Sequence, residues 1–448
     1  MICTASAGRG GRRTTRRVLT GSGAALGAGG MLAACAPTGG DRGAGGAPAA
    51  AGPVAIRARH KSPGGDIWER MVGEYNARGG PLQIQFERTA GTEEHHDKIA
   101  IEMAGGVAPD VFEMESKRMP SFVNGRLLDL TKRFAASKRL PKAAFFPGDW
   151  DRAFWAEKQY LLPQFDNPAA IYYHAGLFQR RGAPPPPEKA SEAWTWAKLL
   201  ETAQRLTNPG EGTFGYNQNE WWVYLEPWVW SNGGDFLSKD RRRLIMDEPA
   251  AQQAIAFAVD LRLKHRVMPD AGELQAAGNL PAIFFAGQLG MQLNISNWCE
   301  TVRPRADVPW NIAPVPRGPA GFVPRSPATM WAMGAETKQP DRAFEVFEHF
   351  GSPEVHRQIP MLPSRRDVTE AGQFLYAQSI PGLKWQVFVD AKRAARDDPA
   401  TAAFQDLDRL LRAEEQRLWR GQLTPRDYVA TVKPGVEQVL ADAERSGR

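Results

Sequence analysis

The feature that most constrains this chain is the order of apolar patterns at the start of its body. Val54–Arg59 predicts a first strand, and Asp66–Tyr75 predicts a helix, because its apolar residues recur every four positions. Residues 82–86 alternate between apolar and polar side chains, as a second strand does. A second helical pattern then leads to a third apolar strand at residues 110–112. Strands that alternate with helices predict an α/β protein whose first domain is an open sheet flanked by helices.

The length of the body predicts two domains. Residues 54–448 exceed what one hydrophobic core usually supports. We assign residues 54–165 to the first domain and residues 166–310 mainly to a second, helix-rich domain. Residues 311–448 are predicted to return to the first domain, with crossings between the domains and C-terminal helices.

An export signal is predicted over residues 1–35. This segment contains five arginines and no acidic residue, and its second half, from Val18 to Ala34, is weakly apolar. Arg16 and Arg17 form a twin-arginine motif, which favours the twin-arginine export route. An ordinary secretion signal with chance arginines is the alternative.

The end of this segment predicts a lipid anchor. Leu32-Ala33-Ala34-Cys35 resembles a bacterial lipobox, in which the cysteine thiol receives the lipid. The alternative is a small-residue cleavage site beside an accidental cysteine. Residues 36–53, rich in Gly, Ala, Pro and Thr, predict a flexible linker between this anchor and the body.

The charge and cysteine content of the body exclude some classes. Removing the five leader arginines from the 56 basic residues leaves 51, against 50 acidic residues. A nearly neutral body gives no reason to predict nucleic acid as a partner. Cys3 falls in the leader and Cys35 is the predicted site of the lipid, so Cys299 is alone in the body and no intramolecular disulfide is predicted there.

Seven short segments of the body resemble a known family. In chain order they are Ala108–Phe112, Gly125–Leu130, Tyr160–Pro163, Tyr172–Phe178, Trp230–Gly234, Trp310–Pro316 and Met361–Arg366. Together, and behind a lipobox, they resemble the bacterial extracellular solute-binding proteins of family 1, which include maltose-binding protein. The resemblance implies a periplasmic-binding-protein-like fold with two α/β lobes, hinge crossover strands and a central ligand cleft.

The resemblance also implies a function. The chain is predicted to be the substrate-binding lipoprotein of an ABC importer, which captures a carbohydrate by hinge closure and delivers it to a membrane permease. It would act as a monomer, without a cofactor and without chemistry on the ligand. A polyol or a peptide is the alternative ligand.

A tryptophan cluster is the first candidate site. Trp221, Trp222, Trp228 and Trp230 lie within ten residues, and Asn232 follows them. Indole faces match the apolar faces of pyranose rings, and amides satisfy sugar hydroxyls, so this mixture suits a sugar site. We predict that the cluster lines the cleft; the alternative is that these tryptophans are core residues.

Other candidates follow predicted strands, where loops of α/β lobes bind ligands. The remaining candidate ligand-binding residues are Arg59, His60, Glu113, Asp166, Asn167, Asn294, Trp298, Trp331 and Arg365. Each has a structural alternative: half-buried aromatic packing for the two tryptophans, a turn for Asp166-Asn167, and a solvated surface position for Arg365.

Some residues of the body could serve metal binding or catalysis. Tyr172-Tyr173 and His95-His96-Asp97 supply metal ligands, but adjacent side chains on a strand or a helix diverge, so no metal site is predicted. A surface carbohydrate hydrolase would need two facing carboxylates, and Glu113 and Asp166 could serve. No nucleophile motif accompanies them, and we predict a binding protein and not an enzyme.

Overall fold

The computed structural model of this protein describes residues 53–61, 65–305 and 307–445. The predicted signal peptide, Cys35 and residues 36–52 of the predicted linker lie outside the described residues. No helix among the described residues is both long and apolar enough to cross a membrane.

Twelve strands are present in the part of the chain that the structure describes. They are β1 (Val54–Lys61), β2 (Leu82–Thr89), β3 (Val111–Glu115), β4 (Phe154–Trp155), β5 (Lys158–Gln159), β6 (Leu161–Asp166), β7 (Ala169–His174), β8 (Asn217–Gln218), β9 (Met291–Ile295), β10 (Trp310–Ala313), β11 (Ala328–Met333) and β12 (Leu362–Pro363). They form a six-stranded sheet in the order β12-β6-β11-β3-β1-β2, a four-stranded sheet in the order β10-β7-β9-β8, and the hairpin β4-β5.

Helices surround both sheets. They are α1 (Gly65–Ala77), α2 (Thr92–Ala104), α3 (Thr131–Ala136), α4 (Pro147–Asp151), α5 (Ala175–Arg180), α6 (Trp196–Leu206), α7 (Glu226–Ser231), α8 (Pro249–Leu263), α9 (Ala271–Ala276), α10 (Leu280–Phe285), α11 (Cys299–Val302), α12 (Pro340–Phe350), α13 (Pro353–His356), α14 (Arg366–Glu370), α15 (Leu375–Ser379), α16 (Gln386–Ala394), α17 (Phe404–Trp419) and α18 (Pro425–Arg445). Short 3-10 helices span Ser116–Ser121, Lys142–Ala144, Ala190–Glu192, Pro209–Glu211, Trp222–Tyr224 and Ser296–Trp298.

The six-stranded sheet is covered on both faces. Val111 of β3 packs in a core with apolar residues of α1 and α12, whereas its neighbours Phe112 and Met114 pack in a core with α2. Successive side chains of a strand point to opposite faces, so this division follows from the alternation of β3. The apolar faces of the helices close both sides of the sheet.

The direction of the strands brings their carboxyl ends to one edge of this sheet. β1 is parallel to β2 and β3, and β6 runs the same way because β11 is antiparallel to both β3 and β6. The residues at this edge are therefore Lys61, Thr89, Glu115 and Asp166. Ligands of α/β proteins bind outside the carboxyl ends of strands.

The four-stranded sheet has its own core. Ile171 and Tyr173 of β7 pack on one face and Tyr172 on the other. The hydroxyl of Tyr172 lies 3.4 Å from the Sγ atom of Cys299, and burial raises the pKa of that thiol to about 12. Cys299 is therefore a buried core residue whose thiol is protonated.

The chain passes between the two sheets more than once. Residues 167–168 join β6 to β7, and residues 314–327 join β10 to β11. After β12 the chain leaves the first sheet again, since Phe388 of α16 packs with Tyr172. The segment that follows α16 runs beside the second connection. There the backbone N–H of Arg396 donates to the carbonyl of Pro324, and the N–H of Ser326 donates to the carbonyl of Arg396.

The C-terminal helices pack with the second sheet. Leu407, Leu411 and Leu418 of α17 and Val436 of α18 belong to the same core as α8. Residues 311–448, which are predicted to return to the first domain with crossings and C-terminal helices, contribute to the packing of both sheets. β11, α12 and β12 lie with the first sheet, whereas the apolar stripe of α17 faces α8.

Two glycines offer a test of how tightly this fold is packed. A Cβ atom added to Gly215 would overlap the backbone carbonyl of Ala203 in α6, whereas a Cβ on Gly73, in the exposed face of α1, meets nothing within 4 Å. We expect Gly215→Ala to lower the free energy of unfolding by about 3 kcal/mol, because a backbone carbonyl cannot move aside cheaply. Gly73→Ala should raise it by about 0.5–1 kcal/mol, since Gly is disfavoured inside a helix. Urea unfolding measures both; equal changes in the two variants would contradict this packing.

Candidate ligand-binding cleft

A cavity of about 220 Å³ lies where the carboxyl edge of the first sheet faces the second sheet. The first sheet and its helices contribute His60, Lys61, Thr92, Glu93, Glu115, Lys117, Arg118, Phe165, Thr329 and Met361. The second sheet, the connections and α17 contribute Asn167, Trp221, Ile295, Asn297, Arg325, Pro327, Phe404 and Arg412. Both sheets and both described connections therefore meet at this cavity.

Ion pairs organise the wall formed by the first sheet. The Nζ atom of Lys61 lies 3.0 Å from Glu115 and 3.2 Å from Glu113. Arg118 donates to Glu115 at 3.0 Å and to Glu93 at 2.6 Å. The carboxylates of this wall are thus already engaged by cations of the same wall.

Arg325 stands at the centre of the connection between the sheets. Its side chain is 2% exposed, its Nε atom donates to Glu226 at 2.9 Å, and its Nη2 atom donates to Asp398 at 2.7 Å. Asp398 also accepts from Lys117 at 2.7 Å. Burial alone would raise the pKa of Asp398, but the charges of Arg325 and Lys117 outweigh it and lower that pKa to about 2.

The pKa of Glu226 is shifted in the opposite direction from that of Asp398. Burial, reinforced by the negative charge of Asp398, raises the pKa of Glu226 well above its usual range. Of the two carboxyl groups beside Arg325, Asp398 is therefore the one that ionises more readily. The Nη1 atom of Arg325 is buried and has no hydrogen-bond partner within the described part of the chain.

Trp221 presents the one indole ring of the predicted cluster that lines this cavity. It is partly buried, and its Nε1 atom donates to Asp408 at 2.7 Å. Cations surround the ring: Arg412, Lys117 and Arg325 lie 5.4, 5.7 and 5.8 Å from its centroid. These distances are typical of cation–π contacts.

Amide side chains complete the cavity. Asn167, in the first connection, accepts a hydrogen bond from Ser296 at 3.1 Å, and Asn297, the residue after Ser296, also lines the cavity. Asn294 lies just behind, where it accepts from the hydroxyl of Tyr224 at 3.0 Å. Amides offer both donors and acceptors, which a ligand with hydroxyl groups requires.

The structure brings three of the predicted residues to the cavity wall: His60, Asn167 and Trp221. Glu113 and Asn294 lie behind it, in contact with Lys61 and Tyr224 respectively. These placements follow the strand-end argument, because the residues at or near the carboxyl ends of β1, β3, β6 and β9 converge there.

Three predicted tryptophans pack in hydrophobic cores and do not line the cavity, contrary to our expectation. Trp222 and Trp228 are 0% and 1% exposed and belong to the core of the second sheet. Trp331 is fully buried between Trp68 and Phe350, with ring centroids 5.0 and 4.5 Å away. Their large apolar area is used to fill the interior.

Trp298 and Trp230 also differ from the expectation. Trp298 packs its ring edge against Tyr172 and Phe284 in the core. Trp230 lines a separate cavity of about 530 Å³, where Arg396 lies 4.6 Å from its ring centroid.

The remaining polar candidates hold the fold together. Arg59 is buried and binds Glu87 of β2 and Glu102 of α2. Asn232 donates to the carbonyl of Ala250 at 2.7 Å, and so ties the end of α7 to α8. The side chains of Arg59 and Asn232 are therefore hydrogen-bonded to neighbours within their own half of the molecule.

Asp166 and Arg365 have similar structural roles. Asp166 is buried, pairs with Lys392 and accepts from Ser326 at 2.6 Å. Burial raises its pKa to about 6, while Lys392 acts in the opposite direction. Arg365 donates to Asp367 at 2.7 Å and to the carbonyl of Gly351 at 2.9 Å, so it braces the segment after β12.

Several cavity residues were missed by the sequence argument. Lys61 follows the predicted His60 at the end of β1, and Lys117 lies just after the end of β3, so the same rule would have included both. Arg325, Phe404 and Arg412 carry no local signal, since the fold alone brings a connection and α17 to the cavity. Within the described ranges no group of three or more His, Cys, Asp or Glu residues is placed to hold a metal ion.

Two α/β sheets joined by several connections, with a polar and aromatic cavity between them, define a two-lobed binding protein. Residues 61–357 match the family of bacterial extracellular solute-binding proteins, and the chain belongs to that family. The predicted family and two-lobed α/β fold are thereby confirmed.

Solved structures of this fold are similar along most of the chain. An ABC substrate-binding protein from Listeria monocytogenes, in complex with cycloalternan, has a TM-score of 0.77 at 18% identity and covers 87% of this chain and 99% of its own. The sugar-binding protein MalE from Xanthomonas citri has a TM-score of 0.76 at 17% identity, with 88% and 99% covered. At these identities the likeness describes the fold.

A curated relative extends the comparison. A Streptomyces antibioticus protein, named as an uncharacterized lipoprotein in the oleD 5' region, is 25% identical over 311 residues. The match covers 65% of this chain and 64% of that relative, so the chain spans just under two thirds of the relative's length.

Glu415 of α17 gives a pH-dependent test of the packing behind the cleft. Its buried carboxyl group accepts a hydrogen bond from the backbone N–H of Trp222. Burial raises the pKa of this carboxyl group from 4.5 to about 9. The folded state therefore holds a proton that the unfolded state releases, and this contribution to stability is lost as the pH rises from about 4.5 to about 9. Glu415→Gln keeps a neutral acceptor, so we expect the stability of the variant relative to the natural protein to increase with pH, by at most about 1.4 kcal/mol per unit.

Urea unfolding at several pH values between about 5 and 9 measures this difference. The comparison removes the contributions of other titrating groups, which both proteins share. A difference in stability that stays constant across this range would show that Glu415 is ionised in the folded protein.

Proposed function

We propose that this protein is the substrate-binding component of an ABC importer, and that it captures a carbohydrate between its two lobes and delivers it to a membrane permease. The observation that carries the proposal is the cavity itself, because both lobes contribute to it and Trp221 lies beside the amides of Asn167 and Asn297. An indole face and amide groups suit the apolar and hydroxyl faces of a sugar. The family membership and the names of the Listeria and Xanthomonas proteins support the same function.

The proposed mechanism is closure about the connections between the lobes. A ligand that touches His60 on one side and Trp221 on the other makes all its contacts only when the lobes are close together. It therefore favours the closed state by its difference in affinity for the two states. The boundaries of the moving parts follow the sheets, with the first connection at residues 167–168 as one hinge.

We further propose that the protein is exported and anchored by a lipid at Cys35. The lipobox-like Leu32–Cys35 sequence and the twin arginines Arg16 and Arg17 support this. The Streptomyces relative is itself named as a lipoprotein. A lipid on Cys35 would hold the binding body next to a permease.

Adjacent tryptophans provide a matched pair of variants that tests the site. Trp221 and Trp222 both donate their indole N–H to the same oxygen of Asp408, at 2.7 and 2.8 Å, but only Trp221 lines the cavity. We expect Trp221→Ala to remain folded and to lose at least about tenfold in sugar affinity, which is about 1.4 kcal/mol. Trp222→Ala should lose about 3–5 kcal/mol of stability, as buried aromatic residues do, while its folded fraction keeps its affinity.

The ligand is found first, by a thermal-shift screen of mono- and oligosaccharides, polyols and peptides, since a ligand at a hundred times its Kd stabilises by about 2.7 kcal/mol. Calorimetry then gives the affinities of both variants, and chromatography shows whether the sugar is returned unchanged. If no carbohydrate binds, or if Trp221→Ala binds it as the natural protein does, this assignment of the site is wrong.

The anchor has its own test. Cys35→Ala removes the thiol that would receive the lipid, so we expect the variant to appear in the soluble fraction of cells while the natural protein sediments with membranes. Metabolic labelling with a fatty-acid analogue should mark only the natural protein, and Cys299→Ala serves as the control that keeps the label. A membrane-bound, labelled Cys35→Ala variant would disprove the lipid anchor.

A further inference from the structure

The charged groups that face the cavity are mainly cationic. Five cations line it: Lys61, Lys117, Arg118, Arg325 and Arg412. Only Glu93 and Glu115 oppose them on the lining. Both carboxylates already accept hydrogen bonds from these cations, with Arg118 donating to each of them. The wall therefore offers a ligand many donors and few free acceptors.

The acids that balance these cations lie in a second layer, behind the wall. They are Glu113 behind Lys61, Asp398 and Glu226 behind Arg325, and Asp408 behind Trp221. None of these four lines the cavity. The site as a whole is close to neutral, but its cations are nearer to the ligand than its anions. At such short range the nearer charges dominate the interaction with a ligand.

One donor atom of this wall, Nη1 of Arg325, has no hydrogen-bond partner among the residues that the structure describes. The Nη1 atom of Arg325 is buried and makes no hydrogen bond with the described part of the chain, although Nε and Nη2 of the same side chain bind Glu226 and Asp398. A buried donor of a charged group left unsatisfied is costly, because it has lost its contact with water and gained no partner. A ligand oxygen in the cavity would remove that cost, and a negatively charged oxygen would remove most of it.

Three cations lie close to the indole ring of Trp221. Arg412, Lys117 and Arg325 all lie within 5.8 Å of its centroid. A neutral sugar ring that stacks there would separate these cations from the ring and give them only hydroxyl oxygens in return. An acidic group on the sugar would give them a full negative charge while the sugar ring meets the indole.

We propose that the carbohydrate captured in this cleft carries an acidic group, and that Arg325, Lys117 and Arg412 bind this group beside Trp221. The inference rests on the proposed function and adds the chemical class of the ligand. A carboxylate, a phosphate ester and a sulfate ester share the chemistry that the wall recognises, since each supplies only acceptor oxygens and a negative charge. Asn167 and Asn297 then serve the hydroxyl groups of the same sugar.

The test compares matched neutral and acidic sugars by calorimetry on the full chain. The panel pairs D-glucose with D-glucuronate and with glucose 6-phosphate, D-galactose with D-galacturonate, and galactotriose with trigalacturonate. Inorganic phosphate and sulfate are measured alone. In the series that binds, we expect the acidic member to bind at least about tenfold tighter than its neutral counterpart. The uronates test a carboxylate, glucose 6-phosphate tests a phosphate ester, and the inorganic ions test an anion without a sugar.

A matched pair of arginines on α17 locates the effect. Arg412 lines the cavity with a side chain that is 57% exposed, whereas Arg409, 74% exposed, pairs with Asp406 and does not line it. Arg412→Gln, at an exposed position, should fold normally and lower the affinity for the acidic sugar by about tenfold more than it lowers the affinity for the neutral sugar. Arg409→Gln should change neither affinity.

The possible results separate this inference from the proposed function. If a neutral sugar binds as tightly as its acidic counterpart, or if Arg412→Gln weakens both equally, the acidic ligand is wrong and the carbohydrate function stands. Inorganic phosphate or sulfate that binds as tightly as the acidic sugar would overturn the sugar part of the inference. No binding by any member of the panel would overturn both.

Discussion

The need to neutralise a buried guanidinium ties the two halves of this molecule together. Arg325 lies in the connection from β10 to β11, Glu226 begins α7 beside the second sheet, and Asp398 follows α16. Lys117, which follows β3 of the first sheet, completes the network through Asp398. Removing one member of a buried ion pair is expensive, because the charge that remains has no water to replace its partner. This network therefore requires the connections and both sheets to meet at one place.

The cleft is a consequence of that requirement and of strand direction. Parallel strands bring Lys61, Glu115 and Asp166 to the same edge of the first sheet, where apolar packing ends and polar side chains begin. The second sheet is held opposite this edge by short connections, so its own polar residues face the same space. The same ion pairs stabilise the fold and form the cavity wall, since Lys117 and Arg325 both neutralise Asp398 and line the cavity.

The local patterns of the chain anticipate much of its secondary structure. The first strand, predicted over residues 54–59, runs to Lys61, and the first helix, predicted over residues 66–75, extends from Gly65 to Ala77. His60 and Asn167 could be placed at the cleft because the rule for strand ends is geometric. The tryptophans could not be sorted in the same way, because an indole beside polar residues has the same sequence signature in a core and in a cleft. Arg325 and Arg412 reach the cavity through contacts distant in sequence, which no local pattern contains.

The sealed thiol of Cys299 has a consequence for where this protein can mature. It is the one cysteine among the described residues, and it lies in the core against Tyr172. No step in the folding of this body needs an oxidant, a disulfide isomerase or a choice among cysteine pairings. The two lobes can therefore reach their final structure in a reducing compartment as readily as in an oxidising one.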